Sequence, residues 1–437
     1  MKRRCFPRLT WLCLRAAAAG LIGACGSRAD TAARAATPDA LDYALDFARR
    51  IPADESFESD KGRALTEVVQ AAIRRGELDR AVAIAPEIKT WQRGQAYAEL
   101  AREKALAGKT REAWTLVAKA EVWEEYIRAK CQDGTMGWQA DRISIYVAAA
   151  RAALGDTNAT GRVFSDSQAQ VAPEITGRIV QADTNSTGAL SFEALDSGLP
   201  TNRQFLVQNG VLKGLLAWAE NRQGLTSNEL ERVLARVDDT LSGQPVTARI
   251  PLQYRVAALL RTHGRATDAE ARVGSVERAI RALPRGVPMS LALGEAAVYA
   301  MRFDASNGLK KLDEAVAALS ATNAPSTRPP ESPPPPAAEA KHPGRTPMLK
   351  MMAETIASDR TPAYCALAEM AVRGGHPERA AALYEAAFRE AAKQVNPVPR
   401  RVRFTDVCAR MAASGTPLTP AFRMTLERRV DAERTIP

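Results

Sequence analysis

The sequence predicts an all-α protein, a superhelical stack of antiparallel helix pairs, and three observations carry that prediction. Alanine recurs in clusters along the 437 residues while aromatic side chains make up only 5%, a composition that suits close-packed helices better than sheets. Apolar and small residues return at helical spacing over long segments. Short turns repeat one interval, glycine five residues before alanine, at Gly76/Ala81, Gly108/Ala113, Gly264/Ala269 and Gly375/Ala380.

Each part of that interval has a physical role. Glycine accepts the left-handed backbone that stops one helix and reverses the chain, and acids near the next helix start complement its dipole. Alanine one turn into the second helix lets it lie close against the first. Past each alanine, apolar or small residues return four and seven places on, as Ala85 and Ile88, Val117 and Ala120, Val273 and Val276, and Tyr384 and Ala387. Segments 93–107, 253–262 and 361–373 supply first helices of suitable length. Turn landmarks at Gly224, Gly264, Asp304, Gly375 and Gly415 stand 40, 40, 71 and 40 residues apart, as expected of stacked modules with one long insertion.

The chain opens differently. Residues 1–24 have a basic start and then a short apolar run from Ala16 to Ala24, too brief to span a bilayer and built like an export signal. The run ends in Leu21-Ile22-Gly23-Ala24-Cys25, which resembles the lipobox of bacterial lipoproteins. That resemblance implies cleavage before Cys25, acylation of its thiol and amine, and anchoring in the cell envelope, at the outer membrane or the periplasmic face. Each buried methylene is worth about 0.8 kcal/mol, so two or three acyl chains hold a soluble domain firmly. Gly23 and the interrupting Arg15 depart from the usual pattern, and an ordinary cut after Ala33-Arg34-Ala35 is the alternative. Arg3-Arg4-Cys5-Phe6 also resembles a twin-arginine export signal. Residues 25–40 read as a flexible tether.

The helical turns resemble the tetratricopeptide repeat, a helix, a glycine-acid turn and a second helix opening with alanine. The unit from Pro362 to Ala387 matches at Gly375, Ala380, Tyr384 and Ala387, and the first-helix small residue is found at Ala101, Ala257 and Ala368 but is Val69 in the first unit. The closing proline is mostly missing, and the 40-residue spacing exceeds the family's 34, about one and a half helical turns too long. The match is that of a degenerate relative, with repeats over 41–320 and again over 348–437. The resemblance implies a right-handed stack whose concave wall of first helices binds protein or peptide. It places the groove at Gln95, Arg102, Tyr254, Arg261 and Glu369. Between the two blocks, 321–347 holds Pro333 to Pro336 within a proline-rich tract that cannot sustain a helix and reads as a linker.

Composition limits the chemistry. Hydrophobic residues at 46% and charged residues at 25% are ordinary for a globular chain and exclude collagen, an acidic disordered protein and a polytopic membrane protein. The net charge of +10 would be halved by loss of Lys2, Arg3, Arg4, Arg8 and Arg15 with the leader. The remainder is interleaved with acids and forms no basic stripe, so nucleic acid is not an expected partner. Loops starting at Asp156 and Asp183 resemble EF-hand or dockerin calcium loops, but Asp166 and Glu193 fall at the eleventh place and Ser167 and Ala194 occupy the twelfth, where a bidentate acid belongs. Turns and helix caps account for them better.

Gly108-Lys109-Thr110 lacks the upstream glycine of a phosphate loop, because Glu103 stands there. His263, His342 and His376 have no second ligand at metal spacing, and no cofactor or metal is expected. Cys5 and Cys13 leave with the signal, so Cys131, Cys365 and Cys408 remain, and buried free thiols are expected although Cys365 and Cys408 could pair. Trp91, Trp114, Trp123 and Trp138 cluster within 48 residues; they read as inter-helix core, with a stacking platform for sugar or peptide as the other possibility. The expected function is a non-catalytic envelope scaffold for a protein or peptide. The alternative is a helical envelope enzyme, carbohydrate-active or lyase-like, with a carboxylate pocket on the concave face.

Overall fold

Sixteen α-helices and one short 3-10 turn, with no strand, make up the described residues of the computed structural model, which are 37–54, 57–130, 137–156, 205–222, 224–321 and 359–434. The chain divides into two units, Met1–Thr37 and Pro38–Pro437. The first lies outside the described residues except for Thr37, and with it the leader and Cys25. Also outside are Cys131, His342, the linker past residue 321, the Asp183 loop and most of the Asp156 loop.

The helices are α1 (Ala40–Arg49), α2 (Glu58–Arg74), α3 (Leu78–Ile84), α4 (Gln92–Leu106), α5 (Thr110–Lys130) and α6 (Gly137–Ala153) in the first part of the chain. They continue as α7 (Phe205–Asn221), α8 (Ser227–Ser242), α9 (Val246–Thr262), α10 (Ala266–Arg281), α11 (Val287–Met301) and α12 (Ala305–Ser320). The last four are α13 (Thr361–Arg373), α14 (Pro377–Ala391), α15 (Pro397–Ala413) and α16 (Pro420–Arg434). Local chemistry sets their starts. Asp39 opens α1 through a reciprocal cap with Asp42, and Thr226 opens α8 with Glu229 in the same way. Proline stands in the first turn of α13, α14 and α15, where its missing N–H would have no partner in any case.

The four predicted glycine turns end helices as expected. Gly375, at φ +85°, is the model for all of them: the N–H of the next residue, His376, donates back to Ala371 O at 2.9 Å. Glu77 to Ala72, Lys109 to Lys104 and Arg265 to Leu260 repeat this closure at 2.9, 2.8 and 2.9 Å. It satisfies carbonyls that the helix end would leave bare. Ala81, Ala113, Ala269 and Ala380 are all buried, each on a helix that packs against the one before it. The Asp304 landmark works without glycine, its side chain accepting from Asn307 N at 3.1 Å to cap α12.

Antiparallel partners are α4 with α5, α9 with α10, α11 with α12 and α13 with α14. Their first helices pack side by side in the order α7, α9, α11, α13, α15. The row does not stop there. α15 packs on α2, and α2 continues to α4 and then α6. The last part of the chain is thus followed in space by the first, and α1 lies along α15 as extensively as a second helix does elsewhere. Among the described residues the row runs from α7 to α6, the helices that flank residues 157–204.

The junction of the two ends has its own core. Phe47 of α1 meets Phe404 of α15 with ring centroids 5.0 Å apart, Phe404 stacks on Phe388 at 4.2 Å, and Phe422 of α16 meets Phe388 edge-on at 5.5 Å. Beside these rings the fully buried carboxylate of Glu433 accepts from Arg400 Nε at 2.8 Å and Arg401 Nε at 3.0 Å. Arg401 also donates from Nη1 to Arg50 O at 2.8 Å, tying α15 to the end of α1. Cys365 and Cys408, on α13 and α15, are free and fully buried, and burial pushes both thiols well up from their usual range.

Candidate functional site

Neighbouring first helices are tied by arginines that reach back to the helix before them. Arg410 of α15 lies 3.5 Å from Glu369 of α13, Arg373 of α13 lies 2.8 Å from Glu295 of α11, and Arg255 of α9 grips Glu220 of α7 at 2.9 and 2.8 Å. Arg142 of α6 donates to Gln95 Oε1 of α4 at 3.5 Å, near the limit of a hydrogen bond. Two of the residues placed in the groove from sequence, Gln95 and Glu369, are therefore rungs of this ladder. Gln95 is buried, and its amide also donates to Glu99 at 3.4 Å.

The other three groove candidates divide. Arg102 is half-buried beside Glu103 at 2.8 Å. Tyr254 is buried, its hydroxyl has no hydrogen-bond partner, and burial followed by the nearby Glu277 pushes its phenol far up. Its ring meets Tyr299 at 5.2 Å, Tyr299 meets the exposed Phe303 at 5.2 Å, and the guanidinium of Arg261 covers Phe303 at 4.1 Å. Arg261 is the solvent-facing end of that chain of rings. The five residues do not converge on one point: Gln95 and Arg102 share α4, Tyr254 and Arg261 share α9, and Glu369 lies on α13.

Of the four tryptophans read as core, Trp91 and Trp123 are half-buried against it, and Trp114 and Trp138 are not. Trp114 is 43% exposed, Trp138 49%, Tyr126 52% and Val122 65%. Among the described residues, five of the eight exposed large hydrophobic side chains lie between Leu106 and Trp138. Four of the five, Trp114, Val122 and Tyr126 on α5 and Trp138 on α6, make an aromatic terrace, with half-buried Trp91 beside Trp138 and half-buried Trp123 beside Tyr126. Trp138 meets Trp91 edge-on at 5.3 Å and Tyr126 meets Trp123 at 5.4 Å. Arg93 covers Trp123 at 5.1 Å and Tyr97 at 5.6 Å, and Arg142 covers Tyr146 at 5.8 Å. Cation–π contacts hold the rings in place while their outer edges stay wet. The clustering was visible in sequence; which face of α5 it occupied was not.

Two further features were not foreseen. A cleft of about 650 Å³ opens between the second helices α8 and α10, with α9 as its floor. On the first-helix row, Glu67 of α2 has its carboxyl pushed up by burial and then by Asp406 of α15. Asp406 in turn accepts from Arg410 Nε at 2.9 Å. Among the described residues no cluster of three His, Cys, Asp or Glu side chains could hold a metal ion, and no helix is long and apolar enough to cross a membrane. His263 caps the end of α9 and His376 precedes α14, each at a helix boundary.

Comparison with known proteins adds little to this geometry. No family model and no curated protein matches the chain. A solved structure described as a circular tandem repeat protein with novel repeat topology and enhanced subunit contact surfaces is similar over 90% of this chain and 98% of its own, at 15% identity and a TM-score of 0.16. Overlap that poor carries no argument, so the assignment as an all-α helical-repeat fold rests on the helix pairs, their turns and the single row of first helices.

Proposed function

We propose that this chain is a lipid-anchored envelope protein whose helical array binds a protein or peptide partner and catalyses no reaction. The observation that carries the reading is the terrace of Trp114, Tyr126 and Trp138, large rings left exposed in an array that buries most others. Several large rings left exposed on one helix pair point to an interaction site, and tryptophan and tyrosine are the side chains that dominate such sites. The Leu21 to Cys25 run supports attachment through Cys25, and Arg102, Arg261 and Glu369 are the groove candidates that reach solvent. The test is paired capture from detergent-solubilised envelope. A partner held by the native chain and lost by the Trp114→Ala, Tyr126→Ala, Trp138→Ala triple variant supports the reading; equal recovery by both removes the terrace from it. Cys25→Ala is expected to move the protein from the membrane to the soluble fraction.

One observation favours a second reading, an envelope enzyme. A carboxyl with raised proton affinity, Glu67, beside an arginine-bound carboxylate, Asp406, is the pairing from which general acid and base are made. Turnover of an envelope polysaccharide that disappears in Glu67→Gln while the fold persists would establish it. Absence of turnover by the native chain over a panel of such glycans would remove it.

A further inference from the structure

The cleft between α8 and α10 holds an arginine whose side chain has no partner among the described residues. Three guanidiniums line it. Arg265 is taken by Glu231 and by Asp268, the latter at 2.6 Å from Nε. Arg272 grips both carboxylate oxygens of Asp238 at 2.6 and 2.8 Å and donates to Gln253 Oε1 at 2.7 Å. Every acid of the lining is thereby engaged. These ties also brace the walls, because Glu231 and Asp238 on one helix and Arg265 and Arg272 on the other stand two turns apart, about 10 Å. Arg249, from the floor helix, lines the same space, and its side chain makes no hydrogen bond or ion pair among the described residues.

We propose that this cleft binds a small organic carboxylate, one anionic head on a short apolar body. A free guanidinium presents a planar fork that matches a carboxylate. Leu234, Ile250, Leu260 and Val276 supply an apolar floor behind it, and about 650 Å³ lies in the ordinary range for small-molecule sites. A single negative charge fits best: one guanidinium is open, and a dianion would also face Glu231, Asp238 and Asp268. The head group could belong to a free acid or to the C-terminus of a peptide. The site shares no residue with the aromatic terrace and stands independently of the peptide-binding reading.

Calorimetric titration of the full chain tests the proposal with three probes: hexanoate, hexanamide, and N-acetyl-leucyl-leucine as a mimic of a peptide terminus. Binding of hexanoate or of the dipeptide, at least tenfold stronger than hexanamide and weakened at least tenfold by Arg249→Gln, is the expected result. Hexanoate binding alone identifies a free acid as the source; dipeptide binding alone identifies a peptide terminus. Ala271→Phe, which fills the cleft from its exposed wall and leaves Arg249 in place, is expected to weaken the same probe. Both variants should keep the helical circular dichroism of the native chain. No binding of either carboxylate, equal binding of hexanamide, or native affinity in Arg249→Gln overturns the proposal.

Discussion

Glu67 is one side chain through which pH reaches the fold. Burial and the neighbouring Asp406 raise its folded-state proton affinity above that in the unfolded chain, so folding favours the neutral form. Below the unfolded carboxyl range the group's contribution to stability is complete. As pH rises through the raised folded value, the carboxylate must ionise beside Asp406 and that contribution is lost. Glu67→Gln stays neutral at every pH. Urea titration is expected to show the variant more stable than the native chain at pH 7, with the two converging at about pH 4. Ala380 sets a different limit. It is fully buried where α14 crosses α13, and Ala380→Leu would force those backbones apart at a cost of about 1–3 kcal/mol, read from the same titration.

At the level of elements, α1 has a role its ten residues do not advertise. It has no strong antiparallel neighbour after it in sequence, yet it lies along α15 as a second helix would. Phe47 supplies its anchor in the cluster with Phe388 and Phe404, and Phe47→Ala is expected to lower stability by about 3–5 kcal/mol in a denaturant titration. Glu433→Ala should cost a similar amount, about 3–5 kcal/mol, because it leaves Arg400 and Arg401 buried without their counter-ion. Lys104 makes the contrast plain. Its ammonium is buried too, but its partners Asp79 and Glu112 stay solvated, so Asp79→Asn should shift the same denaturant midpoint far less than Glu433→Ala, as expected of a pair open to water.

Across the whole molecule, what could be read from sequence was what depends on near neighbours. A turn that needs positive φ announces itself as glycine, and a close crossing announces itself as alanine five residues later, so the helix pairs and their reversals were visible before any coordinates. Which module follows which was hidden. Phe47 and Phe404 look like any core phenylalanines, and nothing in a one-dimensional pattern says that residues more than 350 apart share a contact. The terrace was half-visible: composition showed the tryptophans, but a helix with apolar residues on several sides does not say which side finds a partner. The cleft with Arg249 needed three helices placed at once.

The meeting of the two chain ends also has a consequence in time. A ribosome delivers α1 early and α15 almost last, so the first of the described helices waits for nearly the whole of synthesis before its mate exists. Through that interval the apolar side of α1 and the facing side of α2 have nowhere to go, which is the circumstance that recruits chaperones and invites clumping. A chain stopped after Arg360 makes the wait permanent. It should bind a hydrophobic dye and sediment as aggregates, and a separately supplied fragment from 359 to 434 should restore a soluble species.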